Sequence, residues 1–243
     1  MKRNILRGLT LLLCISLTLE GSDSSVRERL MGAAYLDNQA YHLLEEMTDR
    51  FGGRITGSKS NEQSLIFLQE ALEREGIESR QEPFSFPGWV RGKDEAILIE
   101  PVKRPLRAIG LGYVQPHPSF AAEVTLIDKA KEEEITVELK GKIGLVPASV
   151  KLSTKTIALF AKERGLKGLL LINRKNGGQL LARTQHREGS PSPIPIFSIT
   201  EEEGHWLKRL IERGDAPSVQ LTTRSETKPM RTANLVATLP GRV

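Results

Sequence analysis

Cysteine is almost missing from this 243-residue chain, in which Cys14 is the only example. It lies in an amino-terminal stretch laid out like an export signal. Lys2, Arg3 and Arg7 make a basic start, Gly8 to Leu19 is apolar apart from Thr and Ser, and Glu20-Gly21-Ser22-Asp23 returns to polar sequence. A signal peptide has an apolar core of about 7 to 15 residues, whereas a membrane-spanning helix needs roughly 20. Residues 1–21 therefore read as the signal peptide of a secreted or periplasmic protein with no stable membrane span. Its removal would leave no thiol, which excludes disulfides, a cysteine nucleophile and thiolate zinc ligands. Lipid anchoring through Cys14 is a minor alternative, because Leu13 is not the small residue that ordinarily precedes such a site. No A-x-A-like triplet precedes Ser22, so the cleavage point is left unset.

A strong charge is lacking too. Of the net +5, Lys2, Arg3 and Arg7 less Glu20 carry +2, which leaves +3 on the remainder. That is too little to argue for a nucleic-acid partner.

The familiar signatures of catalysis are also missing. There is no H-E-x-x-H helix, no G-x-S-x-G elbow and no G-x-G-x-x-G between a strand and a helix. "GGRITGSKS", Gly52 to Ser60, approaches the phosphate-binding loop G-x-x-x-x-G-K-[ST]. Ser58 stands where the second glycine is required, and a helix precedes the loop instead of a strand. The stretch reads better as helix cap, turn and helix cap. His42 and His205 fall in expected helices without an acidic neighbour that marks a metal site. His117 and His186 fall in expected loops and are free to meet in space. Glu132-Glu133-Glu134 and Glu201-Glu202-Glu203 read as solvated faces, the second suiting a helix amino terminus. No catalytic, cofactor-binding or metal residue is assigned.

What is present is an α/β pattern. Ala40, Leu43, Leu44, Met47 and Phe51 share one face of a helix that Asp37 can cap and Gly52-Gly53 ends. A second helix starts near Ser60, where Ser60 and Gln63 would form a capping box, and ends at Gly76. Phe84 and Phe86 alternate with polar neighbours, and Ala96 to Ile99 is an apolar run. "YVQPHP", Tyr113 to Pro118, reads as a linker between units. Beyond it, strands are expected at Ala122–Ile127, Gly141–Val146, Gly168–Asn173, Pro193–Ile199 and Val219–Leu221, with helices at Thr156–Arg164 and Glu201–Arg213. The prolines place the Pro193–Ile199 strand at an edge or confine them to its first residues. Leu235 to Leu239 reads as a short buried strand, followed by a Pro240-Gly241 turn.

"MTDRFGGRITGSKSNEQSLIFLQEALEREGIE", Met47 to Glu78, resembles the opening of secreted M28-type zinc peptidases, including the carboxypeptidase Q-like group. "LKGKIGLVPA", "TIALFAKERGLKGLLLINRKNGG" and "SPIPIFSITEEEGHWLKRLIERGDAPSVQLTT" resemble the protease-associated (PA) domain that many of these enzymes carry as an insertion. "TANLVATLPGRV" resembles the strand that re-enters the peptidase domain. The resemblance implies an α/β fold: a partial M28-type peptidase domain, and an inserted PA domain of mixed β-sheet with flanking helices. The implied divisions are 1–21 signal peptide, 22–112 amino-terminal peptidase segment, 113–226 PA-like domain and 227–243 return strand. It further implies an exopeptidase that hydrolyses peptides or dipeptides with two zinc ions, and it leaves homodimerisation open. The family's His-x-Asp ligand motif and catalytic glutamate lie beyond the matching stretch, so none is carried over. Arg54, Thr56, Gly57 and Ser58 match its turn and read as structural. The chain as given is expected to be inactive and to bind no catalytic zinc. Leu43, Leu44, Leu65 and Leu68 are expected to stay partly uncovered, and the PA-like half to be better packed. The alternative is a secreted, non-catalytic PA module that binds peptides or another protein.

Overall fold

The computed structural model describes residues 21–36, 39–128, 138–151, 153–185 and 189–240. The signal segment through Glu20 with Cys14, the Asp37 cap, Glu132-Glu133-Glu134, His186 and Gly241 lie outside the described residues. Two compact units are formed, one from residues 1–82 and 235–243, the other from 83–234.

In the first unit, helix α1 (Gly21–Leu36) occupies a stretch to which sequence reading gives no element. Its Val26, Leu30, Met31, Tyr35 and Leu36 are exposed. Helices α2 (Gln39–Phe51) and α3 (Lys59–Arg74) follow. Phe51 and Phe67 pack with their ring centroids 5.6 Å apart. The covering is thin: no residue of α2 is fully buried, Leu44 is exposed, and Leu43, Leu65 and Leu68 are half-buried.

The turn between α2 and α3 shows why the phosphate-loop likeness misleads. Gly52, at φ +57°, ends α2 in the left-handed conformation glycine tolerates best, and Gly57 at φ +77° makes the second bend. Arg54 Nη1 donates to the carbonyls of Met47 at 3.2 Å and Gly52 at 2.8 Å, satisfying acceptors at the end of α2. The cap of α3 is Ser58 and not Ser60, its hydroxyl accepting from the Asn61 N–H at 3.2 Å. Asn61 Oδ1 accepts from the Gly57 N–H at 2.9 Å, so Ser58 and Asn61 take the roles expected of Ser60 and Gln63.

The second unit is built on an eight-stranded sheet in the order β3-β2-β9-β5-β6-β7-β8-β4. Its members are β2 (Glu95–Glu100), β3 (Arg104–Pro105), β4 (Ala108–Gly110), β5 (His117–Leu126), β6 (Ile143–Val146), β7 (Gly168–Ile172), β8 (Ile196–Ile199) and β9 (Ser218–Thr223). Strands β5 to β8 are parallel neighbours, while the pairings β5–β9, β9–β2 and β2–β3 on one side and β8–β4 on the other are antiparallel. Strands β1 (Ser79–Val90) and β10 (Glu226–Ala237) pair with each other as a separate ribbon.

Parallel strands must be covered on both faces, and period-two alternation sorts their side chains accordingly. Ile143, Leu145, Leu170, Ile172, Phe197 and Ile199 point to one face, where Leu207 and Leu210 of helix α5 (Glu201–Glu212) cover them. Val146, Leu169 and Ile196 point to the other, under Ile157, Ala158 and Ala161 of helix α4 (Thr154–Glu163). Ser153 and Thr200 cap these helices.

Three expectations need correction. Of the two placements expected for the Pro193–Ile199 strand the edge fails, because β8 lies between β7 and β4, and the other holds, because Pro193 and Pro195 precede its ladder, where a missing N–H costs nothing. Tyr113–Pro118 is no free linker, since Val114 within it is fully buried beside Leu111. The last strand runs Glu226–Ala237 and is not buried: Leu235 and Val236 are half-buried and Leu239 is exposed. Strands β2, β3 and β4, which precede residue 113, share one hydrogen-bonded sheet with the strands that follow it.

Candidate functional site

Among the described residues a cleft lies where β6 and β7 end side by side. Crevices beyond the carboxyl ends of parallel strands are the usual ligand position in α/β sheets. After Val146 the chain turns away through Pro147 and Ala148, and after Ile172 it turns through a loop held by Asn173. This asparagine is almost fully buried: its Nδ2 donates to the carbonyls of Gln179 at 2.9 Å and Ile199 at 3.0 Å, and its Oδ1 accepts from the Lys175 N–H at 2.7 Å. Arg174 Nε donates to the Ala148 carbonyl at 3.1 Å, tying the two loops together. Between them lies a cavity of about 340 Å3. Its apolar lining includes Val146, Val150, Ile157, Leu171 and Ile172, and its polar lining is Lys151, Thr154, Arg174 and Arg183. No acidic side chain is among the described residues that line it. The arrangement can bind an anion beside an apolar group; its described residues offer no paired acid and base and no activated nucleophile.

Other polar clusters in the second unit hold the fold. Arg104 Nη1 and Nη2 meet the two carboxylate oxygens of Glu203 at 2.8 and 2.5 Å, and the guanidinium lies 4.2 Å from the Trp206 ring. The hydrogen bond to Glu203 raises the pKa of Arg104 above its ordinary value. Asp94 Oδ1 accepts from the N–H groups of Arg224 at 2.8 Å and Ser225 at 3.0 Å, and its Oδ2 accepts from Ser225 Oγ at 2.6 Å. Arg91 donates to the Gly110 carbonyl at 2.9 Å; burial lowers its pKa, partly offset by Asp94. Glu202 is held below the ordinary glutamate value by its own backbone N–H and that of Gly178.

Three of the histidines lie among the described residues, each in its own setting. His42 on α2 faces Glu45 at 3.7 Å with both side chains exposed. His117 starts strand β5 and does not lie in a loop; its Nδ1 is 2.9 Å from the Pro118 carbonyl and its ring meets the edge of Phe120. His205 is exposed on α5. Glu201, Glu202 and Glu203 form the first turn of α5, but only Glu202 fits a solvated face, because Glu203 is engaged by Arg104. Sequence reading missed Lys151, Arg174 and Arg183. The available signal was that Arg174 follows a strand end within two residues, where a parallel sheet places its crevice.

No family model matches the chain. The fold is that of M28 peptidases. It superposes on a peptidase M28 precursor from Shewanella amazonensis SB2B with a TM-score of 0.70 at 20% identity, covering 88% of this chain and 53% of that one. It also superposes on BSAP, a zinc aminopeptidase from Bacillus subtilis, at a TM-score of 0.68 and 18% identity, covering 85% and 48%. In sequence, the chain is similar to carboxypeptidase Q: 27% identical to the Bos taurus protein and 26% to that of Homo sapiens, each over 223 residues, 84% of this chain. The chain spans about half the length of these relatives, 46% in both cases. The M28-like recognition is thus supported by sequence and by fold.

Zinc in a neighbour prompts a test of the donors present here. Among the described residues, no three His, Cys, Asp or Glu side chains come together in a way that could hold a metal ion. These residues do not fit a zinc centre, and no catalytic step is assigned to them. No described helix is long and apolar enough to cross a membrane.

Proposed function

We propose that this chain is the amino-terminal part of an exported M28-like zinc metallopeptidase acting on peptides or dipeptides. In this reading residues 1–21 are a signal peptide, 22–112 open the peptidase domain, 113–226 are a PA-like insertion and 227–243 return to the peptidase domain. The observation that carries it is the similarity to carboxypeptidase Q, which takes in 84% of this chain but only 46% of that protein. The two zinc ions, and the water activation such ions supply, would then depend on residues outside the stretch given. The test is to read the coding frame past Val243 and fuse the continuation to the chain. A His-x-Asp motif within about 20 residues, together with zinc-dependent dipeptide hydrolysis by the fusion, is expected. A stop codon after Val243 with no such motif downstream would overturn the reading.

A second reading, a secreted binding module without catalysis, is favoured by the basic cleft, which lies wholly within the second unit.

A further inference from the structure

We propose that the cleft at the carboxyl ends of β6 and β7 binds the free carboxyl terminus of a peptide whose last residue is apolar. The site does not depend on the peptidase reading, because every residue that lines it belongs to the second unit.

Size sets the first limit. At about 340 Å3 the cavity is at the lower end of small-ligand sites, which run from roughly 300 to 1,000 Å3. It suits one or two terminal residues of a chain and not a folded surface. Polarity sets the second. Val146, Ile157 and Leu171 supply an apolar floor, while Lys151, Arg174 and Arg183 supply positive charge with no acid among the described lining residues to neutralise it. Among the described residues no carboxylate forms a salt bridge with any of the three.

The arginines differ in availability. Arg174 commits Nε and Nη2 to the Ala148 carbonyl and so shapes the wall. Arg183 has no such commitment among the described residues, and its planar fork matches a carboxylate in bidentate geometry. Thr154 brings the first turn of α4 to the same cleft. The Ser153 hydroxyl takes the Thr156 N–H and its carbonyl takes the Ile157 N–H, leaving the Thr154 and Lys155 amides without helical partners at the positive end of the dipole. An apolar side chain on the floor with its own carboxylate toward Arg183 satisfies both halves of the lining. A peptide carboxyl terminus presents those groups on one carbon.

The experiment uses the full chain and fluorescein-labelled Gly-Ala-Ala-Leu, as the free acid and as the carboxyl-terminal amide, read by anisotropy. Saturable binding of the acid is expected, with the amide at least about tenfold weaker, the loss of one charge-assisted interaction. Arg183→Gln and Lys151→Gln should each weaken the acid several-fold without moving the thermal midpoint. Equal affinity for acid and amide, or no binding by about 1 mM, would overturn the proposal. So would variants that fold and bind unchanged. Competition by octanoate, together with indifference to replacement of the final Leu by Gly, would assign the cleft to a lipid-like carboxylate and reject the peptide. Zinc-dependent hydrolysis is a separate readout, so failure here leaves the peptidase reading to its own test.

Discussion

Replacing Arg104 by Ala should destabilise the second unit by about 2 kcal/mol. The side chain links β3 to α5 by two contacts: the bidentate pair with Glu203 and the stack on Trp206 at 4.2 Å. Arg104 is 37% exposed and Glu203 only 12%, so the pair is partly screened on one side. An exposed pair contributes about 0.2–1 kcal/mol, and the good geometry with a mostly buried carboxylate puts this one at the upper end. The cation–π contact adds about 0.5–1 kcal/mol. Removing the guanidinium also leaves Glu203 with only the Arg107 N–H at 3.3 Å, and a poorly satisfied, largely buried carboxylate costs a further share of a kcal/mol. For a chain of this size about 2 kcal/mol corresponds to a drop of roughly 4–8 °C in the melting midpoint. Urea unfolding followed by circular dichroism measures it directly. Arg104→Lys, which keeps the charge but loses the fork and the planar stack, should recover less than half. A cycle with Trp206→Leu should give a coupling of about 0.5–1 kcal/mol. A loss for Arg104→Ala below about 0.5 kcal/mol, or strictly additive effects with Trp206→Leu, would refute the reasoning.

Three further outcomes follow from local geometry. Gly204→Ala on α5 would place a methyl group 2.5 Å from Ile172 Cγ1, so the helix must shift off β7 at a cost of about 1–3 kcal/mol, seen as a lower urea midpoint. Ser58→Ala removes the cap of α3 and should cost the first unit about 1 kcal/mol, with faster amide exchange confined to the first turn of that helix. Glu202 has a depressed pKa when folded, so its contribution is present above the unfolded value and lost as pH falls through the folded one. Glu202→Gln should therefore lower stability at neutral pH, with the difference from the parent shrinking in acid; a constant difference across the titration would contradict the assignment.

Strands β6 and β7 were legible because each is a short continuous apolar run bounded by Gly, Pro or Asn, and burial on both faces demands that pattern. Helix α5 was legible from Trp206, Leu207, Leu210 and Ile211 at helical spacing. Where sequence reading went astray, pairing partners decided the outcome. The apolar run Ala96 to Ile99 carries no signal of its partner, and its ladder to Val219 and Leu221 puts it in the eight-stranded sheet. Leu235 and Val236 look like core, but β10 pairs only with β1 among the described strands, which leaves them half-covered. Ser58 outcompeted Ser60 as a cap because Gly57 permits the bend immediately before it. The basic cleft was illegible, since Lys151, Arg174 and Arg183 are scattered over 33 positions and meet only through the parallel order of β6 and β7.

Zinc stoichiometry tests the central claim most directly. The purified 243-residue chain, dialysed against zinc and analysed for bound metal while it is assayed on dipeptides and aminoacyl substrates, should retain no stoichiometric zinc and show no chelator-sensitive hydrolysis. Two zinc ions retained per chain, with turnover abolished by chelation and restored by zinc, would contradict the account.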